Sequence, residues 1–186
     1  MNRPIPPSKP PPDLSHYLIK GRWPNLVAIC EDSIKPIYGV VGGPLGLKLS
    51  SVTFRRDDQE AKIEGAILTY QSANLRIQVK LGNLHTGDDP GKVEWAERYE
   101  FASKYGVKGE PVRIEASHQQ VASLWRWSGD RWLAKCQVGS DVIFLGAVGL
   151  EFELLDILLS AIARIDDRPE ILLEQQEQLW DRLREL

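Results

Sequence analysis

Residue types that define whole protein classes are scarce in this chain. Of 186 residues, two are cysteines and three are histidines. Cys30 and Cys136 cannot form a disulfide framework, and each lies in an apolar run. Both are expected to be buried free thiols in a reducing compartment. An excess of positive charge is also lacking. The net charge is −3 and the isoelectric point about 5.7, which opposes a general nucleic-acid binder. Uncharged apolar runs are short. The most apolar stretch, VIFLGAVGLEFELLDILLSAIARI, carries Glu151, Glu153 and Asp156, and acids at that density oppose a membrane span. No apolar h-region follows the first residues, so no signal peptide is expected, and the reading is a soluble cytoplasmic protein.

Catalytic signatures are absent as well. The chain has no P-loop, no G-x-S-x-G, no H-E-x-x-H and no C-x-x-C. The glycines of GVVGGPLG lack dinucleotide-binding spacing and precede no helical pattern, so they read as a bulge or tight turn. His85, Asp88 and Asp89 share the loop GNLHTGDDPG, and this trio is the one grouping that could serve a hydrolase or hold a metal. The plainer reading is a solvated turn, so no metal and no cofactor are expected. Cys136 with His85 or His118 could form a nucleophile pair, but Cys136 alternates with Trp132 toward the core, where a thiol is inert.

What the chain does have begins with proline. Six of its twelve prolines fall in MNRPIPPSKPPPD. Such a run forms neither helix nor sheet ladder, and it is expected to be extended, polyproline-II-like chain. Pro6, Pro7, Pro10, Pro11 and Pro12 offer a strip for a groove on a partner.

A β-rich region follows. LRIQVKL alternates cleanly, with Leu75, Ile77, Val79 and Leu81 on one side and Arg76, Gln78 and Lys80 on the other. AKIEGAILTYQ reads as its hairpin partner, with LVAIC, IYGVV and LKLSSVTFRR as further strands upstream. VEWAERYEF also fits period 2, placing Val93, Trp95, Tyr99 and Phe101 on one face with Glu97 the exception. VRIEAS reads as a short strand. VASLWRW and RWLAKCQV flank a three-residue glycine turn and read as a hairpin. Its tryptophans, Trp125, Trp127 and Trp132, are expected to be structural and core-facing, because the basic residues alternate away from them. DVIFLGAV is uncharged after Asp141 and reads as a strand that is central or covered on both sides, although period alone does not separate it from the start of a buried helix.

The period changes at the end. Leu150, Leu154, Ile157, Leu158, Ala161 and Ile165 follow helical spacing. Asp167, Pro169 and Glu170 form the start signal of a last helix, with Asp167 as N-cap. Leu172, Leu179, Leu183 and Leu186 form its stripe, with Ile171 and Trp180 at the edges.

The expected fold is α+β: an antiparallel β-sheet or barrel-like meander of about seven to nine strands, then a C-terminal two-helix appendage. Three segments are assigned: a proline-rich extended tail over 1–22, an antiparallel β domain over 23–149, and a helical appendage over 150–186 packed on it. The expected function is a non-enzymatic protein-interaction module, such as an adaptor, an inhibitor or immunity-type protein, or a complex subunit. Partner contacts fall to the tail prolines and to Leu179, Trp180 and Leu183. Glu174, Glu177, Asp181 and Glu185 around them favour a basic partner face. The alternative is a β-barrel that binds a small apolar ligand, with a hydrolase using the His85 loop third.

Overall fold

The computed structural model describes residues 13–57, 62–82, 89–115, 121–127 and 130–186. The fold is α+β, built on a seven-stranded antiparallel sheet, with a long helix at the C-terminal end. In chain order, β1 (Leu18–Ile19) and β2 (Trp23–Pro24) form a small ribbon. Then come α1 (Leu26–Glu31), β3 (Tyr38–Val40), β4 (Lys48–Asp57), β5 (Lys62–Gln71) and β6 (Arg76–Leu81). After α2 (Pro90–Lys104) follow β7 (Val112–Ile114), β8 (Val121–Arg126), β9 (Arg131–Val138) and β10 (Asp141–Val148). The chain ends with α3 (Leu155–Ser160), β11 (Ile162–Arg164) and α4 (Pro169–Arg184).

The main sheet has the order β4-β5-β6-β10-β9-β8-β7. It consists of two meanders, β4–β6 and β7–β10, that meet where β6 pairs with β10. The uncharged strand β10 is therefore central, as its sequence implies. Among the described residues, β4 pairs only with β5 and β7 only with β8, so the sheet is open and not a barrel. That removes the closed wall on which the ligand-binding alternative depends.

Both faces of the sheet carry packed elements. On one face lies the main core, where Leu68, Ile77, Val79, Ala134, Cys136, Ile143 and Leu145 pack with residues of α1, α3 and α4. On the other lies a smaller cluster of Phe101, Trp125, Trp127, Leu133 and Phe144 beneath α2. Alternation along the strands divides the tryptophans. Trp132 enters the main core, whereas Trp125 and Trp127 enter the α2 side. All three are buried, at 2–4% exposure. The hairpin is thus structural, but it is apolar on two faces and not on one.

Four expectations are corrected. LVAIC forms α1, not a strand: Asn25 caps it by accepting from the Ala28 amide at 3.2 Å. VEWAERYEF lies in α2. Asp89 accepts from the Gly91 amide at 2.9 Å and Pro90 takes the first helical position, a start signal stronger than the alternation. Helical spacing puts Val93, Glu97 and Phe101 toward the sheet and leaves Trp95 and Tyr99 outside. The helical pattern at 150–165 yields only six α-helical residues. Ile162–Arg164 leaves the helix to pair with β3, satisfying that strand's backbone. The C-terminal segment is thus one short and one long helix separated by a strand. Finally, the cap of α4 is Arg168, not Asp167, and it makes no side-chain cap bond.

Polar groups sew α4 to the core. The Gln175 side chain accepts from the Tyr70 hydroxyl at 2.7 Å and donates to the Val40 carbonyl at 2.9 Å. Gln176 accepts from the Leu26 amide at 2.5 Å and donates to the Pro24 carbonyl at 3.0 Å. It thereby caps the α1 end and holds the ribbon. Gln178 accepts from the Leu49 amide at 3.0 Å, covering a backbone donor of edge strand β4. Gln176→Ala should lower stability by about 2–3 kcal/mol, because it orphans one buried donor and one acceptor. Urea melts check this, and a loss below about 0.5 kcal/mol would mean that water replaces both bonds.

Candidate functional site

The residues singled out from sequence fall in three places. Pro6, Pro7, Pro10, Pro11 and Pro12 lie outside the described residues, as do His85, Asp88 and His118. Asp89 is described, and its carboxylate is committed to the α2 cap. In α4, Leu179 is 1% exposed and belongs to the main core. Leu183 is half-buried against the same core, and Trp180 is half-buried. The stripe expected to meet a partner is spent on the chain's own domain, and among its members only Leu186 stands free, at 95% exposure.

The thiols are equally committed. Cys30 and Cys136 are free and buried, and burial pushes both up to about 12. Neither is ionised near neutral pH, so neither is a ready nucleophile. Among the described residues, no cluster of three or more His, Cys, Asp or Glu is placed to hold a metal. No helix among them is long and apolar enough to cross a membrane.

Two clefts and an exposed aromatic pair lie along α2. Towards the sheet, its acids meet lysines that sequence alternation places on a polar face. Lys80 of β6 pairs with Glu97, and with Glu100 at 3.0 Å. Lys135 of β9 pairs with Glu94 at 2.7 Å. Register aligns these two lysines on either side of Phe144 in β10. Phe101 can approach the sheet because β10 carries Gly146 there: a Cβ at that position would sit 2.9 Å from the Phe101 ring. Burial raises the Glu97 carboxyl above its ordinary range, although Lys80 pulls the other way. Beside the Lys80 pairs, α2 leaves β4 and β5 uncovered. A cleft of about 260 Å³ opens there, with Thr53, Gly65 and Ile67 among its lining. Its charges are largely paired, Arg55 with Glu64 at 2.8 Å and Lys80 with Glu97.

On the outer side of α2, Trp95 and Tyr99 are one turn apart and stack, with ring centroids 5.4 Å apart and planes at 16°. They are 60% and 65% exposed. Beside them is a second cleft, of about 160 Å³, lined by the pair, Arg98, Ala102, Trp127 and the segment Gly109–Pro111. Arg98 lies over the Trp125 ring at 5.7 Å. The Trp127 indole N–H and the Arg98 Nε are buried donors without an acceptor among the described residues. Sequence alternation puts Trp95 and Tyr99 on one strand face with Val93 and Phe101. Their i, i+4 spacing behind the Asp89–Pro90 start is the signal for a helical, outward pair.

Compared with models of known protein families, with curated proteins and with solved structures, the chain matches none.

Proposed function

We propose that this chain is a non-enzymatic protein-interaction module, and that its docking surface is the outer face of α2 and not α4. One observation carries the reading: the exposed Trp95–Tyr99 stack beside a cleft lined by Trp127. Two large aromatic rings held in water on a capped helix lose little conformational freedom on binding, and aromatic anchors dominate interface energetics.

The test is selection of phage-displayed peptides on the wild-type chain, then calorimetry against Trp95→Ala/Tyr99→Ala. Because both rings are exposed, the double variant should keep its urea midpoint, with a stability change within about 1 kcal/mol. Selected peptides should bind it at least about 30-fold more weakly, the loss of one hot spot. Peptides that bind both proteins alike would overturn the assignment of this face.

A further inference from the structure

We infer that the occupant of the Trp95–Tyr99 surface is the proline-rich stretch 1–12 of a second copy of this chain. This rests on the docking reading above and names its partner. Two features suit such a segment. Exposed aromatic rings are what proline-rich chain packs on, since proline rings are flat, apolar and pre-set in φ. Residues 1–12 also contain Arg3 and Lys9 and no acid. Cations favour the faces of Trp95 and Tyr99 and the carboxylate of Glu110 at the cleft.

Geometry decides between the chain's own tail and another copy's. The stretch leaves the fold at Asp13, close to Arg56 near the end of β4, with Tyr17 packed on Phe54 on the main-core side. The aromatic surface lies over β8, on the other face and at the opposite strand ends. Five strand spacings separate β4 from β8, about 24 Å, and the strand length adds roughly 20–25 Å at right angles. The direct separation is thus roughly 30–35 Å before the sheet edge is rounded. Twelve residues of polyproline II span about 37 Å. The chain's own tail would be used up in transit, with its prolines short of the cleft. A tail from a second copy has no such limit.

Sedimentation velocity on the full chain provides the test, from about 1 to 500 µM, a range that brackets weak self-association. Reversible association is expected. It should weaken at least tenfold in Trp95→Ala/Tyr99→Ala and in the full chain carrying Pro6→Ala, Pro7→Ala, Pro10→Ala, Pro11→Ala and Pro12→Ala. A synthetic peptide of residues 1–12 should compete and return the wild type to monomer. A full chain that stays monomeric throughout, or associates equally in all three forms, overturns the inference. If the peptide fails while phage-selected peptides still depend on Trp95 and Tyr99, this inference falls and the docking reading stands. If both fail, both fall.

Discussion

Replacing Trp132 with alanine should lower stability by about 4–5 kcal/mol, the upper range for truncating a core aromatic. The ring is 2% exposed in the main core. It also holds together elements far apart in sequence. Its indole donates to the Leu150 carbonyl at 2.8 Å, fixing the exit from β10, and it stacks on Phe152 at 5.5 Å. The Arg126 guanidinium lies 4.9 Å from its centroid. Alanine removes the packing and leaves the Leu150 carbonyl without its buried donor. Trp132→Phe separates the two effects: it keeps most of the apolar contact and should cost about 1–2 kcal/mol. Trp125→Ala, on the α2 side, should cost about 3–5 kcal/mol, as for a large core aromatic. Urea melts with compared slopes measure all three. A Trp132→Ala loss under about 1 kcal/mol would show that the ring is not part of the core.

These two tryptophans also show how far the sequence was legible. Period 2 marks β6 and the β8–β9 hairpin, and the uncharged run Val142–Val148 marks the centre of the sheet. Alternation says which residues share a face, but not what covers that face. Lys80 and Lys135 looked like a solvent side because their carboxylate partners come from a helix, not a neighbouring strand. Alternation groups Trp95 and Tyr99 with Val93 and Phe101, whereas the helix parts the two pairs. In a nine-residue run, four apolar matches to period 2 outweighed the single misfit at Glu97, and that misfit was the informative residue. Gln175 and Gln176 are each 3% exposed, although glutamine is mostly a surface residue. Their partners Tyr70, Val40, Leu26 and Pro24 lie 105 to 152 positions away, and no local pattern carries that information. The pairing of β11 with β3 was hidden for the same reason.

Lys80 carries the second large effect. Lys80→Ala should destabilise by about 3–5 kcal/mol, because it leaves the Glu97 carboxylate buried without its cation. Glu97 is 8% exposed, wedged between α2 and the sheet. The double replacement Lys80→Met/Glu97→Leu should return to within about 1 kcal/mol of wild type, since a buried pair exchanged for apolar groups of similar size is nearly neutral. The pH dependence gives an independent check. Burial raises the Glu97 carboxyl above its ordinary value of 4.5, against the pull of Lys80. The folded state therefore binds this proton more tightly than the unfolded chain does. Stability from this group is fully present below the ordinary value and is lost as pH rises through the raised one. Removing Lys80 takes away the opposing attraction, so the loss in Lys80→Ala should be small in acid and grow toward neutral pH. Glu97→Gln should flatten the profile. Urea midpoints from about pH 4 to 8, spanning the ordinary glutamate range and neutrality, decide the matter. An equal loss in Lys80→Ala at both ends would mean that the lysine acts through its apolar stem, packed under α2, and that the charge pair contributes nothing to holding the helix on the sheet.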